Sequence, residues 1–160
     1  MSILFLLLGS NVGDSRLHLR TAISLIQETV GVVMVQSSIY KTEPWGNKNQ
    51  QDFLNQVLEV HTEWTPEEVL ERILKIEQEM GRSRIEKWEP RIIDIDILFY
   101  GNAIIQTEPL RVPHPLLHER RFTLLPLSEI APDLMHPELL KTVTELMAEC
   151  TDNSSVSLYE

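Results

Sequence analysis

Asp94 and Asp96 stand two residues apart in the run Trp88-Glu89-Pro90-Arg91-Ile92-Ile93-Asp94-Ile95-Asp96-Ile97-Leu98-Phe99. The run is otherwise apolar and β-branched, which favours a strand. Side chains at i and i+2 of a strand share a face. Both carboxylates therefore point one way, with Ile93, Ile95, Ile97 and Phe99 expected on the opposite, core side. Two adjacent anions repel, and lodging them in an apolar strand costs free energy unless a cation sits between them. Magnesium fits that need, because it takes one or two protein carboxylates and completes its shell with phosphate and water. Arg82, Arg84, Lys87 and Arg91 place four of the chain's 14 Lys and Arg residues within residues 82–91. Guanidinium groups grip phosphate, and carboxylates that hold metal beside them suit phosphoryl transfer. Each feature alone has a plainer explanation: a solvent-facing pair at a sheet edge, and a solvated basic loop. Trp88 either stacks on a base or anchors that loop.

The elements that must position these groups are legible from periodicity and punctuation. Residues 3–8 read as a buried strand, ended by Gly9-Ser10-Asn11. Asp14 or Ser15 caps a helix with apolar positions Leu19, Ala22, Ile23, Ile26 and Val30, and Gly31 is expected to close it as a left-handed cap. Residues 32–40 form a second strand, 43–52 a polar loop and 53–64 a third strand. Thr65-Pro66-Glu67-Glu68 starts a helix with a capping box, running to Met80 and ended by Gly81. Glu77 falls inside its apolar stripe, where a carboxylate needs a partner. Residues 82–90 read as a loop and 92–100 as the fourth strand. A short extended piece follows within 103–112, then helices around 116–127 and 137–148. The order β-α-β-β-α-β predicts an α+β, ferredoxin-like core built on an antiparallel sheet. A single domain over residues 1–150 is expected, with the Ser-rich segment 151–160 as a frayed, flexible tail.

The bulk numbers exclude several classes. A formal net charge of −10 argues against nucleic acid and anionic membrane as partners. The aromatic signature of RNA-binding α+β modules is absent. The single cysteine, Cys150, allows no internal disulfide and suits a cytosolic protein; a monomer is expected. There is no P-loop lysine after Gly9-Ser10-Asn11-Val12-Gly13, no Rossmann fingerprint and no zinc spacing, so nucleotide chemistry must use another phosphate cradle.

Longer blocks carry a resemblance. They are Leu8-Gly9-Ser10-Asn11, Tyr40-Lys41-Thr42-Glu43-Pro44-Trp45-Gly46, Phe53-Leu54-Asn55, Ile76-Glu77, Gly81-Arg82-Ser83-Arg84, Pro90-Arg91-Ile92-Ile93-Asp94-Ile95-Asp96, Val112-Pro113-His114-Pro115 and Glu119-Arg120-Arg121-Phe122. In this order and spacing the chain resembles the 6-hydroxymethyl-7,8-dihydropterin pyrophosphokinases of folate biosynthesis. The resemblance implies an α/β/α core and transfer of pyrophosphate from ATP to the pterin hydroxymethyl group, releasing AMP. It implies two magnesium ions on Asp94 and Asp96, and Arg82 and Arg91 stabilising the transferred phosphates. A pterin pocket would use Thr42, Pro44, Trp45, Gly46, Phe53, Asn55, Asp94 and Phe122. ATP would meet Glu77, Arg82, Arg84, Trp88, Arg91, Ile97, Arg111, His114 and Arg120. The loops 43–52 and 82–91 would close as lids. A basic residue that follows Arg84 in relatives is Ile85 here, with Lys87 as a substitute. A regulator that kept the fold and lost turnover is the alternative, but none of Asp94, Asp96, Arg82 or Arg91 is missing.

Overall fold

The computed structural model describes residues 1–43, 51–81 and 92–160, with the backbone of Arg82. In chain order the elements are β1 (Ser2–Ser10), α1 (Ser15–Thr29), β2 (Val32–Gln36), β3 (Tyr40–Thr42), β4 (Phe53–Thr62), α2 (Pro66–Glu77), β5 (Asp94–Tyr100), β6 (Ile105–Gln106), β7 (Arg111–Val112), α3 (Arg121–Ile130), α4 (Val143–Glu149) and β8 (Val156–Leu158). The main sheet runs β5-β1-β4-β3-β8, with β2 also on β4, and every described pairing is antiparallel. This is the predicted ferredoxin-like order, extended by one strand.

Each face of the sheet buries its own apolar layer. Leu4, Leu6, Leu8, Leu58, Val60, Ile95 and Ile97 pack with Leu19, Ala22 and Ile26 of α1 and Val69, Ile73 and Ile76 of α2. On the other face Phe5, Leu7, Val57, Leu98 and Phe99 pack with Leu124 and Leu127 of α3 and Val143 and Leu146 of α4. Phe99 therefore lies opposite Ile95 and Ile97, contrary to strict alternation. The cause is a break in the β1–β5 register between Phe5 and Leu6, where Phe5 faces Phe99 and Leu6 faces Ile97. The extra residue flips the strand, so Phe99 joins Leu98 on the face that carries Asp94 and Asp96.

Local signals set the helix starts. Asp14 caps α1 by accepting from the Leu17 N–H at 3.2 Å. Thr65 and Glu68 form the expected capping box on α2. That helix ends at Glu77 and widens into a π turn over Gln78–Arg82, where Gly81 adopts φ 136°.

Several boundaries differ from expectation. The second strand breaks into β2 and β3, because the Ser37 N–H and Oγ bond the backbone of Val57 on the neighbouring strand. Gly31 is not a left-handed cap, since Val30 closes α1 in the right-handed region. It is glycine because a Cβ there would meet the His61 carbonyl oxygen at 2.3 Å. The last helix starts at Val143, with Thr142 and Glu145 as its capping box, and not near Pro137. Residues 151–160 do not fray throughout: β8 pairs with β3, Thr42 opposite Val156 and Tyr40 opposite Leu158.

Candidate active site

The functional side chains gather where the second face of the sheet runs past its apolar layer. Asp94 lies opposite Gly9, Gly9 opposite Asn55, and Asn55 opposite Tyr40, across four strands. In the next row Asp96 lies opposite Leu7 and Leu7 opposite Val57. Asp94 and Asp96 thus share the face predicted for them, and both line one pocket of about 620 Å³. Its other walls are Leu7, Gly9, Thr42, Glu43, Phe53 and Asn55 from the sheet, Glu119, Arg120 and Phe122 around the start of α3, and Thr151, Asp152 and Ser154 from the segment after α4.

Asn55 is buried, and its Nδ2 donates to the Leu8 carbonyl at 3.3 Å. The amide lies across Gly9, where a Cβ would come within 2.7 Å of Nδ2. Gly9 thus leaves room for the Asn55 side chain. Thr42 is buried beside it, and its Oγ1 has no hydrogen-bond partner among the described residues. A buried hydroxyl without a partner is costly, and this one lines a pocket able to supply a ligand.

The entry to β5 is held from several sides. Ser10 Oγ donates to the Ile92 carbonyl at 2.6 Å. Gly81 gives Ile92 its place, because a Cβ would strike Ile92 Cδ1 at 2.4 Å. Glu77 is 4% exposed and accepts from the Ile95 N–H at 2.9 Å. Ile95 pairs with Leu8 on β1, and among the described residues β5 ends the sheet. The Glu77 carboxylate therefore satisfies an edge amide between the two aspartates. This accounts for the acidic residue in the apolar stripe of α2.

His114 approaches from beyond β5. Its N–H donates to the Leu98 carbonyl at 3.0 Å, and its ring Nδ1 accepts from the Leu116 N–H at 3.1 Å. In the neutral ring the proton is then on Nε2. Burial pushes the imidazole below its usual value of 6.5, the nearby Asp96 carboxylate opposes that, and Arg120 adds to it. His114, Asp96 and Arg120 are thus electrostatic neighbours. The Arg120 guanidinium lies 5.5 Å from the centre of the Phe122 ring, within cation–π range.

Among the expected site residues, the pocket brings together Thr42, Phe53, Asn55, Asp94, Asp96, Arg120 and Phe122. Ile97 is buried in the first core, and Arg111 is exposed on β7. Pro44, Trp45, Gly46, Arg84, Trp88 and Arg91, the side chain of Arg82, and most of both expected lids lie outside the described residues. Sequence reasoning missed Glu119, Thr151, Asp152 and Ser154. Only Glu119 stood in a quoted block, and nothing local marks the other three.

Among the described residues no group of three or more His, Cys, Asp and Glu side chains is arranged to hold a metal ion. Asp94 and Asp96 offer a hard, oxygen-only pair, a donor set that fits magnesium completed by substrate phosphate and water.

Residues 5–132 match the family 7,8-dihydro-6-hydroxymethylpterin-pyrophosphokinase (HPPK). The chain is 45% identical over 157 residues to a 2-amino-4-hydroxy-6-hydroxymethyldihydropteridine pyrophosphokinase of Methylorubrum extorquens, covering 98% of each chain. It is 43% identical over 151 residues to one of the same name from Aquifex aeolicus, covering 94% of each. A solved Plasmodium falciparum HPPK-DHPS with pteroate has a similar fold, with TM-score 0.77 and 20% identity over 92% of this chain. The chain spans 44% of that longer protein. By the family match and by these relatives, the chain belongs to the HPPK family.

Proposed function

We propose that this protein transfers pyrophosphate from ATP to 6-hydroxymethyl-7,8-dihydropterin in folate biosynthesis, with magnesium. The pterin hydroxymethyl oxygen attacks the β-phosphorus of ATP. The bond from that phosphorus to the oxygen bridging the α-phosphate breaks, the hydroxyl proton leaves, and AMP departs. Such a transfer needs positioning and charge stabilisation more than covalent help. The observation that carries the reading is the row Asp94–Gly9–Asn55, which sets a carboxylate beside an amide on one pocket floor.

Asn55 would pair with the polar edge of the pterin through a group that both donates and accepts. Phe53 and Phe122 would hold its ring, and Thr42 Oγ1 would gain the partner it lacks. Asp94 and Asp96 would hold the metal. When bound there, magnesium supplies charge neutralisation of the triphosphate and polarisation of the attacking oxygen. Arg120 and the Nε2–H of His114 would donate to ATP from the far side of Asp96. Arg82 and Arg91 would stabilise the charge that develops during transfer. Glu77 would hold the strand that carries the aspartates and border the ATP site.

The test is the identity of the nucleotide product with ATP, magnesium and the pterin. AMP that appears only with pterin supports the reading. ADP would make the protein a monophosphoryl kinase, and pterin-independent turnover would remove the pterin assignment.

A further inference from the structure

α3 carries Phe122 into the pocket, yet its start has no cap of its own. The residue before it, Arg120, makes no side-chain capping bond. Pro126, inside the helix, has no N–H to offer the Phe122 carbonyl. The first turn therefore lacks two of the bonds that usually fix a helix N-terminus. The missing cap comes from 31 residues further along the chain: the Arg121 N–H donates to Asp152 Oδ2 at 2.9 Å.

The other oxygen of Asp152 turns the chain. Oδ1 accepts from the Ser154 N–H at 2.9 Å and from Ser154 Oγ at 2.7 Å. That turn leads into β8, which pairs with β3 so that Val156 lies opposite Thr42. One carboxylate thus joins two walls of the pocket, the start of α3 and the strand that carries Thr42. These bonds from Arg121 and Ser154 hold Asp152 below the usual carboxylate value, so it is ionised throughout the neutral range. The opposite end of α3 has its own tie to β3. Glu129 accepts from Tyr40 Oη at 2.6 Å and from the Ser38 N–H at 3.0 Å. α3 is bracketed against β3 at both ends, and Asp152 is the bracket nearer Phe122.

We propose that Asp152 is a positioning residue for the pterin-binding wall, acting through Arg121 and Phe122. This rests on the reading of the pocket as the pterin site. Removing the carboxylate frees the first turn of α3, leaves the Glu129 end in place, and misplaces the Phe122 ring.

The experiment compares Asp152→Ala, Asp152→Asn and Thr142→Ala with the unaltered protein. Asparagine keeps a cap acceptor, and Thr142→Ala removes the local side-chain cap of α4, a helix that does not line the pocket. KM for pterin and for ATP, kcat at saturation, and amide hydrogen exchange across residues 121–124 are measured. Asp152→Ala is expected to raise pterin KM about tenfold, the scale of a lost cap. It should leave ATP KM and kcat close to unaltered and speed exchange at 121–124. Asp152→Asn restores most of the pterin KM, and Thr142→Ala does not change it. An unchanged pterin KM with Asp152→Ala, or an equal rise with Thr142→Ala, overturns the proposal. Hydrogen exchange at 121–124 that is unaltered in Asp152→Ala overturns it too. If the unaltered protein makes no pterin-dependent AMP, the pocket reading fails, and the exchange result separately decides whether Asp152 holds α3.

Discussion

The two faces of the sheet are built on different principles. The α1/α2 face is apolar from end to end: Leu4, Leu6 and Leu8 meet Ile95 and Ile97 under two helices. The α3/α4 face is apolar at one end only, where Phe5, Val57 and Phe99 are buried. At the other end the same strands carry Gly9, Asn55, Asp94 and Asp96. The closed face supplies stability, and its rigidity lets the open face hold groups that would destabilise a core. β5 serves both: alternation carries the face of the aspartates on to Leu98, and the bulge opposite Phe5 and Leu6 turns Phe99 to the same core.

Substitutions on the two faces should therefore separate activity from stability. The largest effect is expected from Asp96→Ala, with kcat lowered about 10²–10³-fold, the cost of removing one group that stabilises transferring charge. Its circular dichroism and thermal midpoint should stay close to those of the unaltered protein. On the closed face, Ile73→Ala should cost roughly 2–5 kcal/mol in urea unfolding while both KM values stay unaltered. Equal damage to KM would show that the two faces are not separable. Gly9→Ala sharpens the contrast from within the open face. Its Cβ would press on Asn55 Nδ2 at 2.7 Å, and pterin KM should rise about tenfold with ATP KM little changed.

The smallest effect concerns pH. His136 is buried, and its Nδ1 accepts from the N–H groups of Glu138 and Leu139 at 3.2 and 3.0 Å. Burial lowers its pKa below 6.5, the nearby His118 lowers it further, and Glu138 opposes both. An unfolded chain then takes up a proton at a higher pH than the folded one. The stability that the neutral ring contributes is complete above pH 6.5 and is lost as pH falls toward the folded pKa. Thermal midpoints should drop on acidification across that window, and His136→Asn, which keeps an acceptor without titrating, should flatten the slope. An unaltered slope would place the titration elsewhere.

What was legible in the sequence was whatever is encoded locally. The capping box Thr65–Glu68, the Asp14 cap and the shared face of Asp94 and Asp96 follow from neighbours within a few residues. The blocks around Asn55, Asp94 and Phe122 made the family legible as well. What was hidden depends on partners distant in the chain. Gly31 answers to the His61 carbonyl, Gly9 to Asn55, and Glu77 to the Ile95 amide. The bulge in β5 depends on β1, and no alternation pattern in β5 announces it. Residues 151–160 read as a polar tail because Asp152 has meaning only beside Arg121, and β8 only beside β3.

The most direct test of the open face is to count divalent ions bound to the protein with a non-cleavable ATP analogue and the pterin. The count is made for the unaltered chain and for Asp96→Ala. Two magnesium ions per chain are expected in the first and fewer in the second. An equal number in both would mean that substrate phosphates hold the metal without this aspartate, and would contradict the role given to the Asp94–Asp96 pair.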